Sequence, residues 1–93
     1  MTMNLFTKVK AILRVTTEDP GILAEIEALI EAAKQDLITT GIHNTADPLF
    51  ELAIMTYCKG HFAFDNPEAD RFLRSYESIK QKMMNTKEYR NEK

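Results

Sequence analysis

The sequence predicts an all-α fold, a small bundle of about four helices around a central apolar helix. Apolar residues recur at helical spacing in four successive segments, and no segment shows the strict alternation of a strand. Three segments open on a capping residue followed by proline, a pair typical of helix starts: Asp19-Pro20, Asp47-Pro48 and Asn66-Pro67. The length of 93 residues suits one domain with a modest core.

The predicted central helix lies between Asp47 and Phe64. At about 100° per residue, one broad face carries seven apolar residues, namely Phe50, Ala53, Ile54, Met55, Tyr57, Cys58 and Phe62. Leu49 and Leu52 fall on the opposite side. The strip left for solvent is then narrow and contains Thr56, Lys59 and Gly60. A helix that is apolar nearly all round is typical of the middle of a domain.

The first two helices are amphipathic. Thr2 or Asn4 can cap the first helix, which should stop near Arg14, before a β-branched run. The second begins at Asp19-Pro20 and ends before Gly41. Its apolar stripe follows helical spacing and contains Ile22, Ile26, Leu29, Ile30, Ala33 and Leu37.

The fourth helix is predicted to begin at Pro67, capped by Asn66 or by Asp65. We place the helical domain at residues 1–84. We expect residues 85–93 to form a polar, flexible C-terminal tail, which is either frayed or ordered only against a partner. The predicted core contains Leu29, Ile30, Phe50, Ile54, Tyr57, Cys58, Phe62, Phe72 and Tyr76.

Charge is distributed unevenly along the chain. Residues 1–17 carry three bases and no acid, residues 18–70 carry eleven acids against two bases, and residues 71–93 carry seven bases against three acids. This pattern is either a solvated surface with charges scattered by chance or a pair of complementary faces that meet between subunits. On the second interpretation the candidate interface residues are Glu25, Glu27, Glu31, Lys8, Lys10, Arg71 and Arg74.

The sequence shows no catalytic, metal or cofactor motif. Cys58 and His61 lie three residues apart on one helix, which would suit a Cys–His pair or half a zinc site, but no second ligand pair accompanies them. A buried thiol beside a partly exposed histidine fits the pattern better. With three glycines the chain has no glycine-rich phosphate loop. We therefore expect no enzyme activity, no cofactor and no small-molecule substrate.

Apolar runs and the cysteine count indicate the compartment of the protein, and the distribution of charge bears on whether it binds nucleic acid. No apolar run approaches the roughly 20 residues that span a bilayer, and the N-terminus lacks a signal core, so we expect no membrane association. A single cysteine is compatible with the reducing cytoplasm. The bases near the C-terminus suggest a small helical DNA-binding regulator as the alternative function. Interleaved acids and a pI of about 5.6 weigh against a broad phosphate-binding surface.

Two long stretches resemble a known family. They are KVKAILRVTTEDPGILAEIEALIEAAKQDLITTGI, residues 8–42, and DPLFELAIMTYCKGHFAFDNPEADRFLRSYESIK, residues 47–80. Together they resemble the small head–tail connector proteins of long-tailed phages and prophages, also described as DNA-packaging proteins, over about residues 5–82. The shared features are K-x-x-L-R in the first helix, an acidic turn, an apolar third helix and R-F-L-x-S-Y-x-x-I in the fourth. In the acidic turn, where the family commonly has Asp-Asp, this chain has Glu18-Asp19.

The resemblance implies a structural virion-assembly protein that catalyses no reaction. Such a protein forms a homo-oligomeric ring below the portal protein, lets DNA pass through the channel as cargo, and docks the next neck or tail component. We would then expect it in the host cytoplasm during assembly and afterwards in the virion.

Overall fold

The computed structural model describes residues 4–42, 48–62 and 67–85. They form four α-helices, and no β-strand occurs within those ranges: α1 is Leu5–Ile12, α2 Pro20–Thr39, α3 Pro48–His61 and α4 Ala69–Met84. α3 packs against each of the other three helices, and α1 also packs against α2. The predicted all-α fold around a central third helix is confirmed.

Capping side chains set the predicted starts of α1 and α2. Asn4 Oδ1 accepts a hydrogen bond from the Thr7 backbone N–H at 2.8 Å, and Asp19 Oδ1 accepts one from the Gly21 N–H at 2.8 Å. At the other end of α2, Gly41 has φ of +97°, a left-handed conformation that stops the helix. These contacts confirm both predicted ends of α2 and select Asn4 as the cap of α1.

Two other predicted boundaries were wrong. α3 ends at His61, before Phe64, and α4 begins at Ala69, two residues after Pro67. Pro67 lies in a turn, and the Glu68 side chain at the N-cap position makes no capping hydrogen bond. Asp65, Asn66 and the Asp47 cap lie outside the described residues. A capping residue followed by proline marks a helix start to within about two residues.

α1 ends in a tight turn at Arg14. The backbone N–H groups of Arg14 and Val15 donate to the carbonyl oxygens of Ala11 and Lys10, at 3.1 and 3.0 Å. This pair of bonds places the residue after the helix in the left-handed region, and Arg14 has φ of +59°. Glycine is the usual residue here, because a Cβ atom in this conformation costs roughly 1 kcal/mol.

The surface of α3 differs from the predicted strip. Thr56 and Gly60 are buried, whereas Leu52 is 45% exposed. Thr56 tolerates burial because its hydroxyl donates to the Leu52 carbonyl oxygen at 2.8 Å. Gly60 is buried because α4 crosses closely there: a Cβ atom on Gly60 would lie 2.5 Å from Leu73 Cδ2. Thr56 and Gly60 were predicted to face solvent because they are not apolar. Their small size instead makes this side of α3 the one on which α4 packs.

Most of the predicted core residues are inside, in two groups. The fully buried group contains Ile30, Phe50, Ile54, Cys58 and Tyr76. A second group is half-buried against that cluster and contains Leu29, Tyr57 and Phe62. Phe72 is also half-buried but lies at the surface of α4, with the Lys59 ammonium 4.6 Å and the Arg71 guanidinium 5.3 Å from its ring. The core also contains Ile42, which follows α2 in a connector where the helical pattern does not identify it.

The close approach of Leu73 to Gly60 predicts the sign of the stability change caused by Gly60→Ala. In an open helix position Gly→Ala stabilises by up to about 1 kcal/mol. Here Gly60→Ala should destabilise by about 1–3 kcal/mol, because the added methyl group overlaps Leu73. Urea unfolding followed by circular dichroism measures the difference. In a Leu73→Ala background the same change should cost much less, whereas additive losses would contradict the close approach.

Candidate subunit interface

The predicted acidic residues of α2 are all exposed, but they lie on two sides of the helix. Glu27 and Glu31 border a groove of about 350 Å³ between α2 and the start of α1, where Phe6 forms part of the wall. At 100° per residue Glu25 falls on the opposite flank of α2, the flank that carries Asp36. The three acids therefore do not form one patch.

The two predicted bases of α1 are engaged within the subunit. Lys8 is half-buried, and its Nζ lies 2.7 Å from Glu51 Oε1 of α3. This carboxylate of α3 holds Lys8 at the edge of the core. Lys10 is also half-buried, with its ammonium 5.8 Å from the centre of the Phe6 ring. Phe6 lines the groove beside Glu27, so Lys10 lies on the same side of the subunit as these acids.

The predicted bases of α4 are exposed. Arg71 pairs with Glu68 one turn earlier on the same helix. Arg74 lines a shallow depression of about 420 Å³ together with Leu73 and Glu77. These two arginines lie on α4, which packs mainly against α3. Of the predicted basic residues, they are the ones best placed to meet the acids of another subunit.

A larger cleft of about 660 Å³ opens between α2 and α4, with α3 as its floor. Asp36 of α2 bridges to α4 there: its Oδ2 accepts hydrogen bonds from the Tyr76 hydroxyl at 2.5 Å and the Lys80 ammonium at 2.9 Å. Lys80 also lies 3.3 Å from Glu77. These contacts join two helices whose backbones otherwise meet mainly through α3.

Aromatic rings line the α3 side of the cleft. The Tyr57 ring lies 4.2 Å from the His61 ring and 5.0 Å from the Tyr76 ring, measured between centroids. Helical periodicity alone does not identify this cluster. One signal was present, because a tyrosine within an apolar helical stripe needs a partner for its hydroxyl once it is buried. The identity of that partner, Asp36, depends on tertiary packing.

A protein-family model described as "Phage connector protein" matches residues 5–90, nearly the whole chain. The chain belongs to the phage connector protein family. No curated protein and no solved structure matches it. The resemblance to head–tail connectors is confirmed, and this phage connector is a structural protein that interacts with other components of the virion.

Asp36 stays charged in this connector despite its position between two helices. Burial alone would raise the pKa of its carboxyl group, but the hydrogen bonds from Tyr76 and Lys80 outweigh burial and lower the pKa below its ordinary value. Burial and the bond to Asp36 both raise the pKa of the Tyr76 hydroxyl, so this hydroxyl remains a donor at neutral pH. For Lys80, burial would lower the pKa, but the hydrogen bonds to Asp36 and Glu77 raise it.

Cys58 and His61, considered above as a reactive pair, lie in very different surroundings. Cys58 is fully buried, and burial raises the pKa of its thiol to about 12, so the reactive thiolate is scarce at neutral pH. His61 is exposed at the end of α3. Within the described ranges no three His, Cys, Asp or Glu side chains cluster as metal ligands would. None of the described helices is both long and apolar enough to cross a bilayer.

The bond between Asp36 and Tyr76 predicts a pH-dependent stability difference. Tyr76→Phe removes a donor to a half-exposed carboxylate, so it should cost about 1 kcal/mol at pH 7. A carboxyl group whose pKa is lowered by folding stabilises the protein above its unfolded pKa of about 4. This contribution is lost as the pH falls through the folded pKa. The gap between wild type and variant should therefore begin to narrow below about pH 4 and close only below the lowered folded pKa of Asp36.

Denaturant unfolding at pH 7 and at pH 3 measures this gap. Tyr57→Phe is the matched control, since it removes a hydroxyl from the same cleft without removing a bond to Asp36. We expect it to be nearly neutral at both pH values. A Tyr76→Phe cost that is the same at both pH values would show that the bond to Asp36 does not stabilise the folded state.

Proposed function

We propose that this phage connector is a head–tail adaptor that forms a ring below the portal protein and docks the next neck or tail component. The observation that carries the proposal is the family match over residues 5–90. The ring would assemble in the host cytoplasm and remain in the virion, with DNA passing through its channel. The chain would act through its surfaces, without a chemical reaction.

A ring requires a heterologous contact, in which one face of a subunit meets a different face of the next. We propose that the first face contains Glu27 and Glu31 of α2, and that the second contains Arg71 and Arg74 of α4. All four side chains are exposed. Lys8 is left out of this proposal because its pair with Glu51 joins two helices and is half-buried. Glu31 and Arg71 also have partners, Lys34 and Glu68, but those pairs lie within one helix and are more exposed.

An apolar residue accompanies the acids on α2. Ile38 is 36% exposed, and at 100° per residue it falls between Glu27 and Glu31 around the helix axis, two turns further along. Exposed ion pairs contribute only about 0–1 kcal/mol each. Charge would therefore set the register of the contact, and burial of Ile38 and its surroundings would supply affinity. Weak ion pairs and a single exposed isoleucine fit a free protein that is a monomer or weak oligomer and closes its ring only on the portal.

Charge reversal tests this interface. Glu27→Lys together with Glu31→Lys should weaken ring formation on the portal protein at low salt while leaving helix content unchanged, because both side chains are exposed. Sedimentation velocity with and without portal measures assembly, and circular dichroism measures helix content. The isosteric pair Glu27→Gln and Glu31→Gln should have a smaller effect, because it removes charge without introducing repulsion.

The decisive test is whether charge reversal on the second face compensates for charge reversal on the first. Adding Arg71→Glu and Arg74→Glu to the lysine variant restores opposite charges across the proposed contact and should restore assembly. If the lysine variant forms rings as wild type does, or if the four-residue variant does not recover, this pairing of faces is wrong. Exposed Glu18→Lys, outside both faces, controls for a general effect of added positive charge.

The alternative function, a DNA-binding regulator, loses support from the structure. Lys80 of α4 is only 12% exposed and is already paired with Asp36 and Glu77. A phosphate-binding surface needs unneutralised cations. Tight, sequence-selective retardation of duplex DNA in a gel at moderate salt would favour the regulator over the adaptor.

A further inference from the structure

We propose that Arg14 of one subunit inserts into the cleft between α2 and α4 of a second copy of this chain. Its guanidinium group would lie against the aromatic rings of that cleft, beside Glu77. The inference rests on the proposed ring and adds a second contact to it. It is argued from the left-handed backbone conformation of Arg14 and from a cleft whose carboxylates and aromatic rings suit a guanidinium group.

Arg14 occupies a position that favours glycine on local grounds. Its φ of +59° disfavours any side chain, and the two backbone bonds at the end of α1 hold this conformation in place. The side chain is exposed, and within the described ranges it makes no ion pair and lies over no aromatic ring. A cation just beyond the C-terminus of α1 is favourable for the helix dipole, but the described contacts give its guanidinium group no partner in its own subunit. A side chain kept in a strained conformation without such a partner points to a contact outside the subunit.

The cleft has the chemistry that a guanidinium group prefers. Its lining includes two carboxylates, Asp36 and Glu77, against one ammonium, that of Lys80. Lys80 is only 12% exposed and approaches Asp36 closely, whereas the Glu77 side chain is 59% exposed and can accept a further donor. Tyr57 is half-buried and His61 exposed, so both rings are accessible to a planar cation. Arginine stacks on aromatic faces while its N–H groups bond to a carboxylate.

The occupant should be a second copy, because Arg14 does not line the cleft of its own subunit. α1 packs against α2 and α3, whereas the cleft opens beside α4 and shares Leu73 and Glu77 with the depression that Arg74 lines. The cleft therefore lies beside the α4 surface that the first proposed contact uses. Two contacts of opposite polarity define the register of neighbouring subunits more narrowly than one.

Substitution of Arg14 separates this function from a structural one. Arg14→Gly relieves the left-handed strain, so it should raise the melting temperature of the free protein by a few degrees. The same variant should weaken ring assembly on the portal protein roughly tenfold, as expected for a buried arginine at an interface. Arg14→Lys keeps the charge but loses the planar group, so its assembly should be intermediate. A structural function alone would make stability and assembly change in the same direction.

A charge exchange tests the partner site. Arg14→Glu and Glu77→Arg should each impair assembly in sedimentation velocity with portal, and the double variant should recover much of it. Normal assembly of Arg14→Gly, combined with failure of the Glu27→Lys and Glu31→Lys variant, would overturn this inference and leave the ring intact. Failure of the exchange to recover assembly would also overturn it. A wild-type protein that forms no ring with portal would overturn the proposed function and this inference together.

Discussion

Burial of α3 is the constraint on which the other three helices depend. A helix that is apolar nearly all round cannot lie at a surface, so α1, α2 and α4 must each cover part of it. The closest approach is at Gly60, where the lack of a side chain lets Leu73 of α4 pack directly on the α3 backbone. Asp36 then joins α2 to α4 across the cleft through Tyr76 and Lys80. Each covering helix is thus positioned by α3 first and by polar contacts second.

This arrangement leaves the outward surfaces of α2 and α4 for interaction. The core is aliphatic and aromatic, and its one cysteine is protected by burial, so the interior offers no reactive group. The exposed groups are mostly polar or charged, with acids and Ile38 on α2 and both arginines and acids on α4. A closed core with charged outward surfaces suits a structural protein of the phage connector family.

Local sequence predicted the features that depend on local physics. The Asp19 cap and the stop at Gly41 were correct because a capping carboxylate and a left-handed glycine act within one turn of the helix. The central position of α3 was predicted correctly because a helix that is apolar nearly all round must be covered on several sides. Burial of Thr56 and Gly60, the pairing of Lys8 with Glu51, and the partner of Tyr76 were not predicted. Each depends on which neighbouring helix approaches, and a wheel of one helix contains no information about its neighbours.

The central claim is that subunits meet through different faces, α2 of one against α4 of the next. Cryo-electron microscopy of this phage connector bound to its portal protein tests it most directly. The account predicts a closed ring in which Glu27 and Glu31 of each subunit face Arg71 and Arg74 of its neighbour. A monomer on the portal, or a symmetric contact in which α2 meets α2, would contradict it.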